Sequence, residues 1–342
     1  MKAASLTIGD LRYLMSDMGE RMDYILTTCL QRVRQESERK AGSPEHWTMD
    51  DLKAAVKGYS LEKEAEGADF SSSIHGVLWR LDRLMESAIF KDYDHLPLVD
   101  LFKPGQCTVL QLNEIDPREQ QVIVSVLLRR LYKARMDTER GKAGAGQEHF
   151  LPYPAFVLIE EAHHFAPGGE GIDRVVSARQ LKTILAEGRK FGIGVGLISQ
   201  RPGKLDQDVL SQCMTQFILR IVNPIDQNTV ASSVESASRA ILDELPALSK
   251  GQAVVAGASL NTPALIQVRA RLTPHGGMSI DGPERWVQYF APEAREERKR
   301  DEAITSIPQQ GSKRYPTVPG WPKRSYEEVF GAKNDTQDGD EG

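Results

Sequence analysis

Along the first hundred residues, apolar positions recur every third or fourth residue. Leu11, Leu14, Met15, Met18, Met22, Ile25 and Cys29 follow that spacing, which predicts one face of a helix. Thr7 with Asp10 three residues later marks its start. Charge gathers from Arg32 to Lys40, and Gly42-Ser43-Pro44 ends the helix. Thr48 with Asp51 opens a second, short helix. Ser71 to Ser73 precede a third, with Ile74, Val77, Leu78, Leu81, Leu84 and Met85 on one face. Such stripes read as core and interhelix contacts, a partner-docking surface being the alternative.

From Leu98 the period changes. Lys103-Pro104-Gly105 is a turn and Thr108 to Leu112 a strand. Pro117 opens a helix to about Met136, and Asp137 to Glu148 is a polar, glycine-bearing loop. Strands are expected at Phe156–Ile159, Gly192–Ser199, Phe217–Val222, Ala253–Ala256 and Leu265–Arg271, with a helix at about Val175 to Lys190 reached through Gly168, Gly169 and Gly171. Strands alternating with helices predict an α/β fold, a largely parallel sheet with helices on both faces. The predicted division is a helical part at 1–97, the α/β part at 98–275, and a charged, proline-containing tail at 276–342, disordered or used for docking.

The run Phe156 to Ile159 is uninterrupted and apolar, which reads as a strand buried on both faces. Pro152 and Pro154 bar a helix from entering it. It ends in Glu160 and Glu161, where open α/β sheets place their ligands. In a phosphate-hydrolysing site Glu160 holds Mg²⁺, directly or through water, and Glu161 orients or deprotonates the attacking water. The bland alternative is a strand that ends in two solvated acids.

Composition narrows the partners. The 342 residues are 40% hydrophobic, enough for a sizeable core, and the formal net charge is -5, which argues against a surface coated in basic charge for bulk nucleic-acid binding. Contact with DNA then falls to local loops. Cys29, Cys107 and Cys213 lie far apart with no metal-ligand spacing, so a reduced, cytoplasmic compartment is the simplest reading. No stretch approaches a membrane span.

Three further segments come after the acids. Glu187-Gly188-Arg189-Lys190-Phe191-Gly192 puts cations at a helix end, either as a helix-dipole partner or as a finger reaching a neighbour's phosphate. Ile198-Ser199-Gln200-Arg201-Pro202 puts a polar residue at a strand tip, as a γ-phosphate sensor or as an ordinary turn residue. Arg220 within an apolar strand calls for a buried partner or a phosphate.

As an ordered set, IEEAHHF, LAEGRKFGIG, LISQRP and LRIVNPIDQ resemble the HerA branch of the HerA/FtsK superfamily of ring-forming DNA-translocating ATPases, over roughly Thr108 to Arg271. DEAH-box helicases share the acid-acid-Ala-His string but continue with Ser-Ala-Thr, where this chain has Ser199-Gln200-Arg201-Pro202. The resemblance implies a RecA-like P-loop NTPase sheet with ATP and Mg²⁺ as cofactors, and duplex DNA in the pore of a homo-hexamer. It also implies a nuclease or other effector as partner and no membrane. It makes IEEAHHF the Walker B segment, with Glu160 the magnesium-side acid, Glu161 the catalytic base, Gln200 the sensor and Arg189 the trans finger, Lys190 and Arg179 being the runners-up. His163 lies near the nucleotide or serves as a local cap, and Arg220 joins the nucleotide-binding set.

One departure is plain. No G-x-x-x-x-G-K-[ST] loop occurs: Gly141-Lys142 is followed by Ala143 and Gly203-Lys204 by Leu205. The strand before such a loop is expected to be missing too. The N-terminal helices then correspond to the helical insertion such motors carry, and the chain reads as a C-terminal portion of a motor or as a split or degenerate subunit, inactive alone. The competing readings are a catalytically degenerate ring scaffold that docks an effector, and a metal hydrolase using Glu160, Glu161, His163 and His164.

Overall fold

The computed structural model describes residues 1–286 except 67–69, 88, 91–95, 148, 170–174, 234–242, 259, 274–281 and 284. Most of the expected tail at 276–342, and Gly171 of the glycine connection, lie outside the described residues. Met1–Ala270 forms one unit and Arg271–Gly342 a second; every helix and strand named here lies in the first.

Helices α1 (Ile8–Leu14), α2 (Glu20–Ala41), α3 (Met49–Ala65) and α4 (Ser71–Met85) open the chain. The single stripe expected from Leu11 to Cys29 belongs to two helices. Asp17 takes φ 61° and Gly19 caps the new start, so the chain turns between Met15 and Glu20 while the apolar spacing continues across the break. Thr7–Asp10 and Thr48–Asp51 form reciprocal capping boxes, each residue bonding the other's backbone amide. Gly42, at φ 68°, ends α2 in the left-handed conformation that a side chain resists. These four helices bury Ile25, Leu26, Leu52, Val77 and Leu81 in a core that extends onto Val122 and Val126.

After the short α5 (Leu98–Leu101), α6 (Pro117–Glu139) crosses from that core to a second one. There it packs with α7 (Val176–Glu187) against the parallel pair β1 (Ala155–Ile159) and β2 (Ile193–Leu197), in the register Ala155↔Ile193 to Ile159↔Leu197. α8 (Gln207–Ser211) completes this core through Val209 and Leu210. Strands β3 (Thr215–Ile218), β4 (Gln252–Gly257) and β5 (Ala264–Gln267) form a separate antiparallel sheet, and α9 (Pro224–Ser233) leans its Val230 on it. The α/β class and the parallel pairing of the acidic strand agree with the sequence; the later strands are antiparallel.

Two further expectations are corrected. Residues 108–112 form no strand: Val109 and Leu110 are exposed, and no neighbouring segment among the described residues offers them a ladder. β1 is buried on one face only. Ala155 and Ile159 point into the core, whereas Phe156 and Leu158 are each 66% exposed. Gly194 and Gly196 make room for them: a Cβ at Gly194 would stand 2.5 Å from Cδ2 of Phe156, and one at Gly196 2.6 Å from Cδ2 of Leu158. An apolar run in sequence therefore marks a strand that is able to be covered twice, and here only one cover is present among the described residues.

Candidate active site

The two acids sit where β1 stops. Glu160 is exposed and its side chain makes no hydrogen bond or ion pair among the described residues. Glu161 turns the chain with φ 47° and ψ 45°, a left-handed conformation that costs a non-glycine residue roughly 1–2 kcal/mol. It is held there by backbone bonds on both sides. The Ala162 amide donates to Ile198 O at 2.9 Å, and the His164 amide donates to Glu161 O at 2.9 Å as the turn Ala162–His164 closes. The turn thus sends the Glu161 side chain toward the end of β2.

There it meets Gln200, whose Nε2 donates to Glu161 Oε1 at 2.7 Å. The other oxygen, Oε2, lies 3.3 Å from Nδ1 of His163, yet no hydrogen bond is aligned to it and the atom is closed off from solvent. His163 Nδ1 is also 3.3 Å from Ser199 Oγ, which accepts from the Arg201 amide at 3.1 Å. The His163 and His164 rings lie tilted against each other, with centroids 4.2 Å apart. Burial lowers the pKa of His163, and nearby His164, Arg201 and Lys204 lower it further, against the opposing pull of Glu161. A neutral imidazole beside the carboxylate is the result.

The structure thus brings Glu161, His163 and Gln200 together with Glu160 at adjacent parallel-strand ends. It keeps Arg189 apart. Arg189 and Lys190 are exposed in the turn Gly188–Phe191, which precedes β2, whereas the acids come after β1; the five paired residues between put the two ends about 17 Å apart. Arg179 is exposed in the first turn of α7. Arg220 is a correction: it falls beyond β3 and is exposed, so no buried partner is required of it. Among the described residues no group of three or more His, Cys, Asp or Glu side chains is placed to hold a metal ion, which leaves the metal-hydrolase reading unsupported. The exposed, unpaired Glu160 carboxylate is an oxygen donor of the kind Mg²⁺ takes.

Four contributors are not legible in the sequence. Arg201 and Lys204 bring positive charge to His163; both lie inside or beside the LISQRP string, where the glutamine alone carries the motif signal. Gln121 of α6 donates from Nε2 to His164 O at 2.7 Å. Arg135, only 3% exposed, donates to Leu151 O and Phe191 O at 2.7 Å each and also bonds Glu139, tying together the entries to β1 and β2. Helical periodicity marks such residues as polar positions on α6 and cannot say what they reach.

Residues 3–131 match the family described as the helicase HerA central domain. A DNA double-strand break repair helicase HerA from Pyrococcus furiosus is 33% identical over 246 residues, covering 63% of this chain and 43% of that protein. A counterpart from Saccharolobus solfataricus is 30% identical over 209 residues, 61% of this chain and 40% of that protein. A probable helicase, MJECL08, from Methanocaldococcus jannaschii is 41% identical over 167 residues, 49% and 31%. The chain spans less than half the length of these curated relatives. Among solved structures, VirB4 of Thermoanaerobacter pseudethanolicus superposes with a TM-score of 0.52 at 13% identity, over 78% of this chain and 68% of that one, a likeness of fold. The family match reaches further toward the amino terminus than the motif set from Thr108 onward, and takes in α1 to α4. No helix among the described residues is long and apolar enough to cross a membrane.

Proposed function

We propose, from the premise that this chain is a HerA-like ATPase, that the Glu160–Glu161 turn is the acidic side of an ATP-hydrolysing site in a DNA translocase. The observation that carries this reading is the bond from Gln200 to Glu161 across the carboxyl ends of two parallel strands. A strand-tip amide that holds the catalytic carboxylate is placed to exchange that bond for one to a γ-phosphate or to the attacking water. Glu161 is then the base, Gln200 the sensor, and neutral His163 a neighbour that leaves the carboxylate its charge. Glu160 would hold Mg²⁺, which when bound supplies positive charge that offsets the phosphates. Arg201 and Lys204 add to the positive field on that side.

Arg189 lies too far from Glu161 of its own chain to serve the same phosphate, so its place in this reading is at a neighbour's site in a ring. That ring is a homo-hexamer, duplex DNA passes through its centre, a nuclease or other effector docks on it, and the assembly works in the cytoplasm. Its phosphate cradle is not among these 342 residues in the G-x-x-x-x-G-K-[ST] form, and the same fact supports the second reading, a ring scaffold that docks an effector without hydrolysis.

The separating experiment measures ATP turnover by the full gene product, in an assembly that has a phosphate-binding loop, in wild-type form and with Glu161→Gln. Loss of a positioned base reduces turnover by roughly 10² to 10⁴ while nucleotide binding persists. Equal turnover by the two would remove Glu161 from the mechanism, and no turnover by either would favour the scaffold.

A further inference from the structure

We propose that Gln121 and Tyr13 are positioning residues for the carboxylate turn, joining the helical region to Glu161 by a three-member hydrogen-bonded chain. The proposal rests on the reading of Glu161 as the functional carboxylate. The chain begins on α1. Tyr13 Oη donates to Gln121 Oε1, and Gln121 Nε2 donates to His164 O at 2.7 Å. His164 closes the turn that begins at Glu161, so three residues of backbone separate the last bond from the acid.

Each end of this chain is fixed by other contacts. On the helical side, Arg129 of α6 donates from Nη2 to Asp10 Oδ2 at 2.8 Å and to Ser5 O at 2.8 Å, and Asp10 is buried. That clamp seats α1 on α6 one helical turn from Tyr13. Arg118 also bonds Ser16 Oγ, just past the end of α1. On the other side the turn is a single 3₁₀ step whose last carbonyl has no partner within the turn. Gln121 supplies that partner. Its amide is used at both ends, so it cannot drop one bond without leaving the other group to solvent or unpaired. Burial raises the pKa of Tyr13, which keeps its hydroxyl a proton donor at neutral pH.

The consequence is directional. Glu161 occupies a left-handed conformation that its own residue type disfavours, so the turn depends on external bonds to stay in place. Ala162 bonds Ile198, just past β2, and Gln200 bonds Glu161, while His164 to Glu161 and Phe165 and Ala166 to Ala162 are bonds within the turn. The bond from Gln121 adds a hold from the helical region. A shift of α1 relative to α6 therefore reaches Glu161 without any change in the strands.

Hydrogen exchange on the full 342-residue chain tests this without requiring hydrolysis. Tyr13→Phe removes the first bond with minimal change of shape. Gln121→Glu keeps an acceptor for Tyr13 but removes the donor to His164 O. Both variants are expected to speed amide exchange at Ala162 to Ala166 about tenfold, roughly a 1.4 kcal/mol change in local opening, with α2 and α3 amides unchanged. In Gln121→Glu the amides of α1 should also stay at wild-type rates. Exchange at Ala162 to Ala166 that is unaltered in both variants, or raised equally throughout the chain, would overturn the relay and leave Tyr13 and Gln121 as ordinary packing contacts. Either result leaves the Glu161→Gln turnover experiment, and the base assignment, to stand or fall separately.

Discussion

At the scale of the residue, His163 is the group whose environment makes a directional statement about pH. Burial first, and then nearby His164, Arg201 and Lys204, lower its pKa below the ordinary value of about 6.5. Between that ordinary value and the lowered one, the unfolded chain takes up a proton that the folded chain refuses. The stability contributed by neutral His163 is therefore complete above about pH 6.5 and is lost as pH falls through the window below it. Thermal melts of wild type and His163→Asn between pH 7.5 and 5 check this. The wild type is expected to lose melting temperature more steeply on acidification; parallel curves would assign the acid sensitivity elsewhere. Cys29 gives a contrasting case, since burial raises its thiol to about 11 and leaves it an inert part of the helical core.

At the scale of the element, the ends of β1 and β2 are positioned by different means. Their carboxyl ends are joined by the Glu161 turn and Gln200, their amino ends by buried Arg135. Arg135→Met would leave Leu151 O and Phe191 O without their donor, and buried unpaired groups cost about 1–3 kcal/mol each. Denaturant unfolding of the variant should show a loss on the order of 3 kcal/mol, and an unchanged midpoint would show that water replaces the guanidinium. The same clamp holds Phe191, two residues beyond Arg189, so the cation's place at the opposite end of the strand pair is built in. If Arg189 serves a neighbour's site, mixing Arg189→Ala chains with Glu161→Gln chains should restore turnover at a fraction of interfaces in rings that each variant alone leaves inactive. An arginine finger is worth roughly 10³-fold or more, so even partial rescue is measurable. Mixed rings as inactive as their parents would make Arg189 a structural cation and turn attention to Lys190 or Arg179.

At the scale of the whole molecule, the open face of β1 and β2 dominates. Phe156 and Leu158 stand exposed above Gly194 and Gly196, and the outer edge of β2 is unpaired among the described residues. Burying a side chain of that size stabilises by about 1.5–3 kcal/mol, so this surface favours whatever covers it. Residues 1–342 by themselves are expected to self-associate and to bind ATP weakly, with no steady turnover, because acids alone repel the nucleotide's phosphates. Sedimentation of the purified chain and calorimetry with ATP and Mg²⁺ check both expectations. A monodisperse monomer that binds ATP at micromolar concentration would mean that a phosphate site exists outside the residues named here.

The features legible in the amino-acid order alone are those that local chemistry controls. Capping boxes at Thr7 and Thr48, the glycine stop at Gly42, the apolar run of β1 and its two terminal acids can each be read within a few residues, because the physical cause lies within a few residues. The order of IEEAHHF, LAEGRKFGIG and LISQRP extends that legibility to the α/β class and to the likeness with HerA proteins. Which partners these pieces have is settled in three dimensions. The run at 108–112 has strand composition but no ladder among the described residues, and Arg220 has a strand-like context but is exposed. Gln121 and Arg135 are ordinary polar positions along α6, yet they hold the turn and the strand entries. A strand exists through hydrogen bonds to another segment, and a polar side chain acts through whatever atom lies within about 3 Å of it. Neither is a property of the stretch of sequence that carries it, so both had to await the fold.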